Sequence, residues 1–274
     1  MKAIIKTEEK PGLVYGDVPE PKPGPDEIKI KVAAAAICGT DIHYNRWDAI
    51  AVSFKEKFGM KFPIVIGHEC AGTVTEIGAN VKTIDVGDRV SFETHIPCGR
   101  CYQCQTGQAH NCADMEIYGC SCPGCFSEYA VGPASVAFRL PEGVSLEEGS
   151  MFEPAGVAMR AVEEGKIVPG DVVLVYGCGP IGLMTQQLAR SCGASRVIGI
   201  DIDEYRLDMA KKYGVEVINA KKEDVAKRVL ELSGERRGVD VLLELTGSSK
   251  VYDHIFNLVR LEVAGMLVNN YALF

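Results

Sequence analysis

Two different hydrophobic patterns divide the chain near residue 155. Before it, short β-branched runs such as EIKIKVAAAAI and GTVTEIG alternate with turn signals such as VPEPKPGPDE, a pattern that predicts strands. After PEGVSLEEG, apolar runs from DVVLVYG to VDVLLELTG alternate with amphipathic segments. This second rhythm is typical of a doubly wound parallel sheet. We therefore predict an α/β protein with a mostly-β domain over residues 1–155 and a parallel-sheet domain over residues 156–274.

Composition narrows the environment and the partners. The 274 residues are 47% hydrophobic, carry a formal net charge of −8 and contain no run of Lys or Arg, which argues against a nucleic-acid partner. The apolar run in MKAIIKTEEKPG is too short for a signal peptide, and no stretch predicts a membrane span. We expect a cytoplasmic protein with no membrane partner, in which the eleven cysteines serve metal binding or catalysis rather than disulfides.

Four cysteines lie within fifteen residues, in the stretch CGRCYQCQTGQAHNC. They are Cys98, Cys101, Cys104 and Cys112. One loop with this spacing can wrap four thiolates around a single ion, and zinc fits best. An iron–sulfur cluster and unliganded thiols are the alternatives, although the usual cluster motif has proline, not Ala113, after its fourth cysteine. The three cysteines of CSCPGC are interpreted as small side chains packed beneath a turn.

A second group of metal-binding residue types is split between two segments. CGTDIH contributes Cys38, and GHE contributes His68 and Glu69. Three protein ligands with an open fourth position are typical of catalytic zinc. Each residue taken alone has another interpretation, a core thiol or a hydrogen-bonded histidine, so only the combination indicates a metal site.

A glycine-rich turn follows the first predicted parallel strand, in DVVLVYGCGPIGLM. This strand–GxGxxG–helix context indicates a dinucleotide site, because the glycines permit close approach of a pyrophosphate to the helix N-terminus. Asp201 ends the next strand, where a carboxylate binds ribose hydroxyls and repels a 2′-phosphate, so we predict NAD. Arg206 could stack on adenine, pair with a phosphate or lie on a helix surface. The predicted loop contacts are Gly177, Gly179, Pro180, Ile181 and Gly182.

Five motifs together resemble the zinc-containing medium-chain dehydrogenases of the alcohol dehydrogenase superfamily: CGTDIH, GHECAGTV, VGDRV, the four-cysteine lobe and GCGPIG. The resemblance implies a GroES-like catalytic domain followed by a Rossmann domain, with one catalytic and one structural zinc. It implies hydride transfer from a secondary alcohol to NAD. Zinc would stabilise the alkoxide while a proton leaves through a relay.

The same resemblance assigns further residues to the catalytic zinc. Glu153 would be an exchangeable fourth ligand, and Asp41 would orient His68. Thr40 and His43 match the relay positions of the superfamily. Their alternatives are a turn hydroxyl and a solvated histidine.

The substrate is suggested by SFETHIPCGRCYQC, which is similar to the L-threonine 3-dehydrogenase branch. There His95 would help to position an amino-acid substrate. The segment 44–63 is longer than expected for this branch, which leaves a sorbitol-type polyol dehydrogenase as the alternative. Relatives typically continue beyond GMLVNNYALF, so we also expect a Rossmann domain without its last strand and C-terminal return segment. A homo-oligomer is expected for a full-length relative, and an inactive zinc- and NAD-binding remnant is the third interpretation.

Overall fold

The structure of the protein, a computed structural model, describes residues 1–260 and 265–268. Chain contacts divide it into two compact units, Met1–Glu153 and Pro154–Phe274. The residues after 268, where the predicted buried strand continues, lie outside the described part of the chain. Among the described residues, none of the helices combines the length and apolarity that a membrane crossing needs.

The first unit is built from antiparallel strands. Their order in the main sheet is β10-β6-β5-β3-β9, with a smaller β2-β1-β4 sheet and a β7-β8 pair. The strands are β1 (Lys2–Lys6), β2 (Val14–Asp17), β3 (Glu27–Ala36), β4 (Ile64–Val65), β5 (Glu69–Ile77), β6 (Arg89–Phe92), β7 (His95–Ile96), β8 (Glu116–Ile117), β9 (Tyr129–Pro133) and β10 (Ala137–Arg139).

The core of this unit forms because alternate residues of its strands point inward. Ile28 and Ile30 of β3 are fully buried, two residues apart as the pleat of a strand requires. They share one apolar cluster with Phe92 and Tyr118, whose ring centroids lie 5.4 Å apart. The predicted mostly-β unit is therefore confirmed, with its core inside the curled main sheet.

Four α-helices interrupt the strands of the first unit: α1 (Gly39–Arg46), α2 (Ala49–Phe58), α3 (Tyr102–Gln105) and α4 (Leu146–Gly149). Helix α2 lies inside the long segment 44–63, for which the sequence analysis predicted no element. It begins at Asp48, whose side chain accepts the N–H groups of Ile50 and Ala51, and an aspartate cap satisfies donors that a helix start leaves unpaired. Helix α2 buries Ala51.

The second unit contains the predicted parallel sheet, in the order β13-β12-β11-β14-β15. Its elements are α5 (Phe152–Glu164), which starts two residues before the unit boundary, β11 (Val172–Tyr176), α6 (Pro180–Ser191), β12 (Arg196–Asp201), α7 (Glu204–Lys212), β13 (Glu216–Asn219), α8 (Val225–Ser233), β14 (Val241–Glu244), α9 (Tyr252–Ile255) and β15 (Gly265–Val268).

Every residue of the central strand β11 is buried, which explains its continuous apolar sequence VVLVY. Val172 and Leu174 pack into one apolar cluster, whereas Val173 and Val175 pack into another. Because successive side chains of a strand point to opposite faces, the sheet is covered on both sides. The predicted doubly wound architecture is confirmed.

Candidate metal and cofactor sites

The pairing of β3 with β5 brings Cys38, His68 and Glu69 together. Ala36 lies opposite Glu69 in the antiparallel register, and Cys38 follows two residues later, at the start of α1. One ligand atom from each of the three side chains lies within 4.8 Å of the other two. A thiol, an imidazole and a carboxylate at this separation could hold one zinc ion and leave a position open.

A glycine permits the approach of His68 to this point. Gly67 has a φ of +91°, and a Cβ atom there would lie 2.3 Å from the ring of Phe126. Only glycine combines the left-handed backbone with the absence of that atom. The G of the GHE motif is therefore a requirement of the local packing, and a larger residue there would displace His68.

Burial is the largest cause of the unusual pKa values around this site. It raises the pKa of Cys38 to about 12, of Glu153 to about 8 and of Asp41 to about 7, and repulsion from Glu69 adds to each. Burial also lowers the pKa of His68 to about 4, which keeps the imidazole neutral and able to donate a lone pair. Several buried acids around one thiol are costly without a compensating cation. The site therefore fits a divalent metal such as zinc.

Asp41 holds the backbone of the thiol residue. Its Oδ2 accepts the N–H of Cys38 at 2.9 Å, and its own N–H donates to the Cys38 carbonyl at 3.1 Å. These reciprocal bonds fix the first turn of α1 and hence the direction of the Cys38 side chain. The backbone N–H of Gly67, the residue before His68, also donates to the Asp41 carboxylate. The structure thus joins Asp41 to Cys38 and to the segment that carries His68.

The two predicted relay residues lie on α1. The Thr40 hydroxyl is 3.6 Å from the Cys38 Sγ. The His43 Nδ1 lies 2.7 Å from Oδ2 of Asp48, the residue that caps α2. Asp48 was not predicted as a site residue, although an aspartate directly before the apolar run AIAVSF is a helix-start signal.

His95 is held by a second carboxylate that the sequence analysis missed. Glu93 Oε1 accepts the His95 backbone N–H at 3.1 Å and lies 2.6 Å from its Nδ1. Charge on His95 contributes to the lowered pKa of His68, and charge on Glu93 contributes to the raised pKa of Glu153. The pair therefore lies within electrostatic range of the candidate metal site. The sequence signal for this pair is that Glu93 and His95 are two positions apart, because side chains two residues apart lie on the same side of an extended chain.

The four-cysteine lobe brings its thiols to bonding distance of one ion. Cys101 Sγ lies 3.5 Å from Cys104 Sγ and 3.8 Å from Cys112 Sγ, and Cys98 completes the set. A tetrahedral ion with zinc–sulfur bonds of about 2.3 Å separates its sulfurs by about 3.8 Å. All eleven cysteines are free thiols, so disulfides are not the reason for the close approach. The lobe fits a tetrahedral zinc.

Backbone donors prepare one of these thiols for metal binding. The N–H groups of Cys104 and Ala113 lower the pKa of Cys101 to about 6. The lowered pKa favours the thiolate form, which is the form that binds metal. By contrast, Cys120 and Cys125 of the CSCPGC stretch are buried in apolar clusters, and Cys122 packs against one. The predicted packing role of that stretch is confirmed.

The glycine-rich turn has the shape of a pyrophosphate cradle. Gly177 has a φ of +109°, and a Cβ on Gly182 would lie 1.9 Å from the Gly177 carbonyl oxygen. Around Gly179, by contrast, a Cβ would meet nothing within 4 Å. Pro180 is the first residue of α6 and Ile181 follows it, so the free N–H groups of this twelve-residue helix begin at the turn. The turn therefore offers open space and donors to a phosphate group.

Asp201 lies beside the turn. Its Oδ2 accepts the N–H of Cys178 at 2.8 Å, and its Oδ1 accepts those of Ile202 and Asp203 at 2.7 and 3.0 Å. Arg206 Nη1 is 3.8 Å from the same carboxylate, and its side chain is half exposed. The structure thus brings the predicted ribose carboxylate, the cation and the glycine turn together in the second unit.

Two family descriptions match the chain. Residues 24–142 match the alcohol dehydrogenase GroES-like domain, and residues 180–269 match the zinc-binding dehydrogenase family. The L-threonine 3-dehydrogenase of Pyrococcus abyssi is 43% identical over 254 residues, which cover 92% of this chain and 71% of the relative.

Solved structures agree with the sequence matches. The 2R,3R-butanediol dehydrogenase of Bacillus subtilis superimposes with a TM-score of 0.85 at 30% identity, covering 98% of this chain and 77% of that one. A short chain alcohol dehydrogenase from E. coli CFT073, solved with NADH, superimposes with a TM-score of 0.83 at 31% identity, covering 94% and 73%.

Proposed function

The chain belongs to the zinc-dependent alcohol dehydrogenase family and is an NAD-linked alcohol oxidoreductase, and from this premise we propose that it oxidises the C3 hydroxyl of L-threonine. The observation that carries the choice of substrate is the Glu93–His95 pair, which lies within electrostatic range of the site of Cys38, His68 and Glu69. A secondary alcohol next to an ammonium group needs both an alcohol site and an acceptor for N–H donors. The pair offers that acceptor.

His95 would recognise the ammonium through the ring nitrogen that does not face Glu93. The Glu93 carboxylate accepts the Nδ1 proton of His95, because a carboxylate has no proton to donate at neutral pH. Nε2 then carries a lone pair directed away from Glu93. A lone pair accepts a hydrogen bond from an ammonium, and a sorbitol-type polyol has no such group.

Cys38, His68 and Glu69 would hold the catalytic zinc, with Glu153 as an exchangeable fourth ligand. When bound, the zinc would lower the pKa of the substrate hydroxyl and favour loss of the hydride. Asp41 fixes the backbone of Cys38 for this purpose. Thr40 would accept the proton and His43 would pass it on toward solvent, since its side chain is 18% exposed. Cys98, Cys101, Cys104 and Cys112 would hold the second, structural zinc.

NAD would bind along the glycine turn of the second unit. The pyrophosphate would lie against Gly179 and the first N–H groups of α6. The Asp201 oxygens would accept the ribose hydroxyls and repel the 2′-phosphate of NADP. Arg206 would cover the adenine side of the pocket. The homo-oligomeric state suggested by the resemblance and the cytoplasmic location expected from the sequence remain predictions.

The test compares three alcohols with the purified zinc-loaded chain. With NAD present, the rate of NADH formation is measured with L-threonine, with sorbitol and with 2-butanol. Threonine should give the highest kcat/KM, because only threonine satisfies both the alcohol site and the ammonium acceptor. Faster turnover of sorbitol would instead support the polyol alternative.

A pair of histidine variants locates the substrate recognition. His95→Asn should lower kcat/KM for threonine about 10- to 100-fold, the value of one hydrogen bond to a charged group. The loss with 2-butanol should be at least tenfold smaller. His110→Asn is the matched control, since His110 is an exposed histidine of the cysteine lobe. Equal losses for threonine and 2-butanol in His95→Asn would contradict ammonium recognition.

A further inference from the structure

The histidine of the relay has a carboxylate partner that defines its protonation. His43 Nδ1 and Asp48 Oδ2 are 2.7 Å apart. Because an ionised carboxylate can only accept, the hydrogen of the neutral ring is on Nδ1. The other nitrogen, Nε2, is then an acceptor. A proton relay needs this form, since the ring must receive a proton before it can release one.

Asp48 is itself fixed in place by a second set of bonds. Its Oδ1 accepts the N–H groups of Ile50 and Ala51 at 3.1 and 3.3 Å, so one carboxylate caps α2 and meets His43. The hydrogen bond from His43 lowers the pKa of Asp48. The carboxylate is therefore ionised at neutral pH and cannot rotate without losing the helix cap.

The chain turns sharply between the two helices to make this contact. Trp47 adopts a left-handed conformation, with φ 52° and ψ 53°, and its N–H donates to the His43 carbonyl at 2.7 Å. This conformation is uncommon for a residue other than glycine. The turn places Asp48 back against the side chain of His43, five residues earlier in the sequence.

We propose that Asp48 is a positioning residue of the proton relay, which holds His43 in the tautomer that accepts a proton at Nε2. The inference rests on the proposed function, because it assumes that Thr40 and His43 carry the proton. It adds a third member to that pair and makes the first turn of α2 part of the relay. Asp48 contacts His43 and the start of α2, so its effect on the reaction should pass through His43.

The substitution Asp48→Asn separates the two tasks of this side chain. An asparagine keeps an oxygen for the cap of α2, but it then presents its amide N–H₂ to His43. The ring must accept at Nδ1 and carry its hydrogen on Nε2, which blocks proton transfer from Thr40. We expect kcat for the alcohol to fall about 10- to 100-fold, as for other residues that orient a functional histidine. KM should change less than twofold, and the bound zinc should not change. The unfolding midpoint should shift by no more than it does in the control variant.

Asp224→Asn is the matched control, because Asp224 caps α8 through the N–H of Lys227 and lies in the second unit. It removes the same charge from a helix start without a relay histidine. If Asp48→Asn keeps the wild-type kcat while His43→Gln loses it, Asp48 is only a helix cap and the inference is wrong. If both variants keep kcat, the relay itself is wrong, and the inference falls with it.

A measurement of the ring removes the dependence on turnover. The ¹⁵N shifts of the His43 ring, assigned by comparison with His43→Gln, report which nitrogen carries the hydrogen. We expect the Nδ1–H form in the wild-type protein and the Nε2–H form in Asp48→Asn. An Nε2–H ring in the wild-type protein would overturn the inference even if the chain oxidised no alcohol. The expected change from Nδ1–H to Nε2–H, in a chain that is inactive toward threonine, would leave the inference standing and refute threonine as the substrate.

Discussion

Gly182→Ala should damage the cofactor site by an amount that the structure defines. The new Cβ would lie 1.9 Å from the carbonyl oxygen of Gly177, whereas an unstrained contact lies at about 3.5 Å. Helix α6 must therefore withdraw by about 1.6 Å. A hydrogen bond of about 2.9 Å from its first N–H groups to a phosphate would lengthen beyond the bonding range.

Loss of two such bonds to a charged group, at about 1.5 kcal/mol each, would weaken NAD binding about 100-fold. The displaced packing would also lower the free energy of unfolding by about 1–3 kcal/mol. The first quantity is measured by titration of NADH fluorescence and the second by thermal or urea unfolding.

Two other glycines provide the controls. The methyl group of Gly179→Ala would meet nothing within 4 Å, and the φ of −68° at this position is one that alanine tolerates. This substitution should therefore not lower stability. It should weaken NAD binding, because the methyl group enters the space left for the pyrophosphate. Gly156→Ala, on the exposed side of α5, should leave NAD binding unchanged and raise stability by about 0.5–1 kcal/mol. Wild-type NAD affinity in Gly182→Ala would refute the argument from close packing.

Three further substitutions test the other sites. Cys104→Ser should remove about one of two zinc ions per chain and lower the unfolding midpoint, because a structural zinc site contributes to folding. This prediction is wrong if elemental analysis of the wild-type chain shows no zinc beyond the catalytic ion. Glu93→Gln should raise KM for threonine about tenfold with a smaller effect on kcat, since the ring of His95 loses its charged partner. A change in kcat alone would argue against a role of Glu93 in substrate binding. Asp201→Ala should reduce the preference for NAD over NADP, measured as the ratio of kcat/KM values, and an unchanged ratio would show that another group makes the selection.

The sequence predicted those sites whose residues lie within one short segment. The cysteines of the lobe span fifteen positions, so a single loop can close around one ion whatever the rest of the chain does. The glycine turn is similarly local, because the strand before it and the helix after it follow directly in the sequence. The apolar run of β11 and the amphipathic segments around it also predicted the parallel sheet, since burial on both faces requires a continuous apolar strand.

The resemblance supplied what local patterns could not. Cys38 and His68 are thirty residues apart, and only the register of β3 against β5 brings them together. In the sequence, neither the thiol of one segment nor the imidazole of another indicates a metal site by itself, and only their occurrence together does. The antiparallel pairing gives the physical reason for it.

The partners of the site histidines were decided by the tertiary structure. The contact of His43 with Asp48 depends on the left-handed conformation of Trp47, which no residue preference predicts, and on helix α2, which was not recognised in the sequence. The contact of His95 with Glu93 depends on where β6 ends and β7 begins. The residue types that can perform the chemistry are thus determined by the sequence, whereas the orientation of each imidazole depends on backbone angles and packing that arise only when the whole unit folds.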